Sequence, residues 1–224
     1  VAVLTREEFD AIEFDAACSG DHQTAARRMS RLAVTGIQTD SMPRSEAYLR
    51  AGEQWLLADD PAAAASGFRL AMADGGPVFV DPRVPLARAL FQLGRQAEAQ
   101  ALIEKLKTEG RNDPRTCDLV AELLVERSDL PGALDWATAG VELCLAGAAG
   151  SEVPRGGNGG HGARPRPGSA ARSTARLRSV SQVPPRSAGS DDGAELRMLL
   201  SLRYRIRNDL ALAEDSYDKL LDEI

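Results

Sequence analysis

"YLRAGEQWLLADDPAAAASGFRLA", residues 48–71, decides how this chain is read. Apolar residues recur at helical spacing on both sides of Asp59-Asp60-Pro61, which predicts two helices joined by a tight turn. Yet Gly52 stands inside the first helix, and the second carries Ala62 to Ala65, Gly67 and Ala71. A mid-helix glycine costs about 1 kcal/mol relative to alanine, so the small residues need a reason in packing. Antiparallel helices approach closely only where small side chains face each other. Gly52 is therefore expected to meet Ala64 at the crossing, with Trp55 and Phe68 filling the space around it.

The unit repeats. An alanine follows each polar turn at Ala25, Ala64, Ala99, Ala133 and Ala213, with gaps of 39, 35, 34 and 80 residues. Thirteen positions earlier stand Ile12, Ala51, Leu86, Val120 and Leu200, and nine earlier stand Ala16, Trp55, Leu90, Leu124 and Tyr204. Four positions later come Met29, Phe68, Ile103, Ala137 and Tyr217; seven later come Leu32, Ala71, Leu106, Gly140 and Leu220. Such spacings keep to one face of each of two helices.

This pattern resembles the tetratricopeptide repeat, a helix–turn–helix unit that stacks into a right-handed superhelix. Tyr48, Ala51, Gly52, Trp55, Ala64, Phe68 and Ala71 match that family's signature positions. The first unit departs at Glu13, where a small residue belongs, and the last at Arg197, where an aromatic is usual. Terminal units of a solenoid are often atypical because one side faces water. Pro82 and Pro114, each after an aspartate, resemble the proline that separates such repeats and suit a first helical turn. "DGGPVFVDPRVPLARALFQLGR" and "AELRMLLSLRYRIRNDL" look like actinobacterial members that can precede a SEC-C metal-binding module, whose clustered cysteines this sequence lacks.

The expected fold class is all-α, a tetratricopeptide-like helix–turn–helix solenoid with a long disordered linker. The array spans 1–146, with repeats at 6–37, 45–76, 80–112 and 114–146. Residues 147–192 form the linker, and 193–224 a C-terminal helix pair serving as a fifth repeat or cap. Charge follows this division: −8 over residues 1–145, +6 over 146–190 and −4 over 191–224, for a net −6. The Arg-, Gly-, Pro- and Ser-rich linker has too few large apolar residues to offset its ordering entropy.

Composition narrows the function. The pI near 5.1 argues against a nucleic-acid or anionic-membrane binder, except weakly through the linker's arginines. The stretch near Leu143 to Ala149 is far short of the roughly 20 apolar residues of a membrane span. "VAVLTREEFD" has neither the basic nor the hydrophobic region of a secretion signal, and Cys18, Cys117 and Cys144 read as reduced thiols, so a cytoplasmic location is expected. A start at Val1 fits a piece of a longer chain.

No catalytic cluster is legible. "GNGGHG", 157–162, satisfies GxGxxG but has no strand before it or helix after it. Cys18 and His22 lack further metal ligands and should flank the first turn. No cofactor, metal or catalytic residue is expected. The resemblance implies a concave groove lined by each unit's first helix. Its residues would be Glu7, Asp10 and Phe14, then Glu46, Leu49, Glu53 and Leu56, then Val84, Arg88 and Phe91, then Arg115, Asp118, Glu122 and Val125. That face is acidic with apolar islands, and Leu49, Glu53, Asp118 and Glu122 stand where chaperone-docking members would need cations for a carboxylate clamp. The expected function is a non-enzymatic scaffold binding a basic or amphipathic segment of another protein or peptide. Tethering makes the chain's own basic linker, 155–186, another candidate occupant. The alternative is an accessory region of a larger protein whose enzymatic, metal-binding or DNA-binding module lies outside this chain.

Overall fold

A computed structural model describes residues 2–109, 113–151 and 191–223. These form ten helices: α1 (Arg6–Ser19), α2 (His22–Thr35), α3 (Arg44–Leu57), α4 (Pro61–Asp74), α5 (Arg83–Gln92), α6 (Gln96–Glu109), α7 (Pro114–Glu126), α8 (Leu130–Ser151), α9 (Asp191–Asp209) and α10 (Ser216–Glu223). No strand occurs among the described residues; of two isolated bridges, Val3 with Ile37 ties the N-terminal segment to the α2–α3 connection, and Thr39 with Met42 closes that connection on itself. The fold is all-α, and the helices pack in chain order.

Short-range chemistry sets the ends of the helices. The side chains of Thr5, Asp21, Asp60 and Asp113 each accept from the amide three residues on, satisfying a donor the helix itself cannot. The turns within the second to fifth pairs share one geometry. Asp59, Gly94, Ser128 and Ala211 all have φ between 53° and 72°. Around Asp59, the Asp59 amide donates to the Leu56 carbonyl (3.0 Å) and the Asp60 amide to that of Trp55 (2.9 Å). The same two bonds recur at Gly94-Arg95, Ser128-Asp129 and Ala211-Leu212, each a Schellman closure. Three of these four left-handed positions lack glycine.

The repeated positions explain the core. Ala25, Ala64, Ala99 and Ala133 are all buried, as are Ile12, Ala51, Leu86, Val120 and Leu200. At the α3–α4 crossing, a Cβ on Gly52 would stand 2.5 Å from Phe68 Cε1, and a Cβ on Gly67 would stand 3.3 Å from the Gly52 Cα. Gly52 thus makes room for the Phe68 ring and for Gly67, rather than primarily for Ala64. Trp55 is half-buried against the same core, and its indole N–H donates to Ser30 Oγ of α2 (3.0 Å). Gly140 plays a similar part where α7, α8 and α9 meet: its missing Cβ would lie 2.8 Å from Leu199 Cδ2 and 3.0 Å from Cys117 Cβ.

The C-terminal helices differ from the pattern. Ala213 is exposed and precedes α10, whereas its counterparts lie in their helices' first turns. Helix α10 starts later because Asp215 supplies the cap: its Oδ1 accepts from Tyr217 N (3.0 Å), while Asp218 Oδ2 accepts from the Asp215 amide (2.9 Å). Helix α9 packs on α8 and α7, with Leu199 and Leu200 against Val141. A buried ionic cluster joins α9 to α10. Arg203, only 4% exposed, donates to Asp218 (3.1 Å), to Asp215 and to Thr138 (3.0 Å), and Arg207 Nε donates to Asp218 (3.0 Å). The boundaries at 146 and 193 shift as well, since the alanine-rich end of α8 runs on to Ser151 and α9 begins at Asp191. The expected disorder and groove occupancy of the linker between them lie outside the described residues.

Candidate functional site

The first helices α1, α3, α5, α7 and α9 are linked in sequence by side chains on one face. Arg50 of α3 donates to Glu13 through Nε (2.7 Å) and Nη2 (2.5 Å) and to Asp10 (2.6 Å), with its guanidinium 5.6 Å from the Phe9 ring centre. Glu13, the misfit of the first repeat, is thus the acceptor that fastens α1 to α3. Glu46 of α3 accepts from the Phe79 amide (2.8 Å) in the loop before α5. Arg88 of α5 pairs with Glu126 of α7 (3.0 Å), and Arg115 of α7 with Glu195 of α9 (3.8 Å). The Arg115 guanidinium also lies 3.9 Å from the Phe79 ring centre, and Arg127 lies 5.0 Å from that of Phe91.

Not every residue expected on this face is open to a ligand. Leu49 and Val84, 1% and 4% exposed, belong to the hydrophobic core. Repeat spacing put them on the inner side of their helices, but neighbouring units close over that side. Leu56, Phe91 and Val125 are half-buried against the same core. Glu46, Glu53, Arg88 and Arg115 are half-buried, Glu122 is exposed, and Asp118 is buried. Glu7, Asp10 and Phe14 of α1 are exposed.

The electrostatics of the face are unbalanced. Burial raises the pKa of Glu46, although the Phe79 amide opposes the shift. Burial, then the charges of Glu46 and Glu13, push Glu53 up to about 7, and Arg50 only partly offsets them. Among the described residues Glu53 accepts no hydrogen bond and joins no ion pair, because the donors of Arg50 go to Glu13 and Asp10. Burial, then Glu122 and Glu195, push Asp118 up to about 6. It too has no hydrogen-bond or ion-pair partner among the described residues. Two carboxylates on α3 and α7 are thus sheltered from water without an ion-pair or hydrogen-bond partner among the described residues, an arrangement that costs free energy.

Where α9 meets α7, a cleft of about 520 Å³ is lined by Asp118 and Glu122 on one side and by Arg197, Met198, Ser201, Leu202 and Arg205 on the other. The α9 wall and Phe79 were not expected from the repeat pattern. Phe79 carried a signal, as an apolar residue in the turn "GGPVFVDP" that no helix face claims. Among the described residues no group of three His, Cys, Asp or Glu is arranged to hold a metal ion, and no helix is long and apolar enough to cross a membrane. Cys18 is exposed, and His22 Nδ1 lies 2.9 Å from Gln54 Oε1, joining α2 to α3.

Fold and site together define a class: an all-helical protein whose helices pack in chain order, with sheltered carboxylates on α3 and α7. The chain matches no protein-family model, no curated protein and no solved structure.

Proposed function

We propose that this protein is a non-enzymatic interaction scaffold of the tetratricopeptide-repeat kind, whose first helices line a concave groove that takes a basic or amphipathic segment of another protein. The observation that carries this reading is the pair of sheltered carboxylates, Glu53 and Asp118, which join no ion pair and accept no hydrogen bond among the described residues. A lysine or arginine from a partner would complete both, replacing lost hydration with a charge-assisted hydrogen bond. The exposed ring of Phe79, stacked by Arg115, offers apolar contact beside them. A short groove-bound helix presents such alternating charged and apolar anchors.

Calorimetric titration with a lysine-rich amphipathic peptide tests the reading. A bound cation favours ionised Glu53 and Asp118, so near pH 6.5 binding should release protons, seen as heat that varies with the ionisation enthalpy of the buffer. Equal binding of a charge-reversed peptide of the same apolar pattern would remove the basis for an acidic recognition face.

A further inference from the structure

We infer that the cleft between α7 and α9 is an anchor subsite seating one lysine or arginine side chain of a bound segment against Asp118 and Glu122, with acidic residues beside that anchor meeting Arg197 and Arg205. The inference rests on the peptide-binding reading above and specifies the sequence that reading accepts at the C-terminal end of the face.

Asp118 is only 9% exposed and lines the cleft, and the charges that face it, Glu122 and Glu195, are of its own sign. Arg115 is engaged with Glu195 and the Phe79 ring. Across the cleft, Arg197 and Arg205 are exposed, and among the described residues neither guanidinium makes an ion pair, although both share the cavity with Asp118 and Glu122. Asp118 and Glu122 on one wall and Arg197 and Arg205 on the other therefore carry opposite charges with no ion pair between them among the described residues, although Arg115 and Glu195 join the same two helices. Buried Leu202 and exposed Met198 line the cleft alongside these charges, an apolar track for a methylene stem, with a thioether that adapts to shape. The volume falls within the range of roughly 300–1,000 Å³ of ordinary ligand sites. A uniformly basic segment would satisfy Asp118 but bring like charge against Arg197 and Arg205. A cation flanked by carboxylates satisfies both walls, so mixed charge is the recognised chemistry.

The test uses the full chain and fluorescence anisotropy with labelled amphipathic peptides, each with a lysine-rich half and a second half that varies. The second half carries arginine between glutamates, methionine between glutamates, or three arginines. The first peptide is expected to bind more tightly than the other two by about tenfold or more. Asp118→Asn should abolish that advantage while leaving the melting temperature equal or higher, because it removes a buried charge. Reversing Arg197 and Arg205 to glutamate should turn the preference toward the three-arginine peptide. If Asp118→Asn and Glu122→Gln leave affinity unchanged while Glu53→Gln weakens it, the anchor subsite is wrong and the groove reading stands. If none of the three changes affects binding, both readings fall.

Discussion

Replacing Glu53 with glutamine isolates the free energy stored in the acidic face. In the unfolded chain Glu53 titrates in the ordinary glutamate range near 4.5; in the folded protein it titrates at about 7, because burial and the charges of Glu46 and Glu13 disfavour its ionised form. Between those values the folded state holds a proton that the unfolded state has released, so stability falls as pH rises through the window. At about 1.4 kcal/mol per pKa unit the full effect would approach about 3 kcal/mol. Glu53 is partly open to water, and screening reduces this to about 1–2 kcal/mol. Below the window a protonated glutamate and a glutamine are nearly equivalent. Urea denaturation should therefore show wild type and Glu53→Gln equally stable at about pH 3.5, with the variant more stable by about 1–2 kcal/mol near pH 7.5 and the m-value unchanged. A wild-type advantage at the higher pH would mean that the carboxylate has a cationic partner, refuting the account of the site. Identical stability throughout would mean that it is well solvated.

Three further outcomes test the architecture. Gly52→Ala places a Cβ 2.5 Å from Phe68 Cε1; overpacking of about 1–3 kcal/mol outweighs the gain in helix propensity of about 1 kcal/mol, lowering the melting temperature, and Phe68→Leu in the same chain should recover part of the loss. Asp218→Asn removes one of the two carboxylates paired with the 4%-exposed Arg203, leaving Asp215; a cost of about 1.5–3 kcal/mol should appear as faster amide exchange in α9 and α10, with α3 and α4 unchanged. Ala211→Gly relieves a left-handed alanine at φ 53° and should raise the melting temperature, stabilising by about 1 kcal/mol; a drop would show that the turn carries no strain.

Much of the architecture is legible from local chemistry, and the departures from it have physical causes. The recurrence of Ala64, Ala99 and Ala133 marked helix pairs because each stands in the first turn of a helix that follows a capped turn. Ala213 broke the rule because Asp215, not the residue before Leu210, supplies the cap that starts α10. Glu13 was recognisable as a misfit, but its partner Arg50 is thirty-seven residues away and belongs to another repeat. Leu49 and Val84 carried the right spacing for the groove and the wrong destination, since burial by a neighbouring unit leaves no mark on a helix's own periodicity.

By itself the sequence determined what depends on residues a few positions apart: helix periodicity, caps, tight turns, and the small residues that let paired helices close. These interactions act along the chain, so their signals are contiguous in it. Only the tertiary structure decided which carboxylates are sheltered together and which cations are already engaged. Glu53 and Asp118 are ordinary acidic residues in the sequence; their raised pKa values arise first from burial, then from like charges on their own helices, Glu46 and Glu122, and last from Glu13 and Glu195 on neighbouring helices.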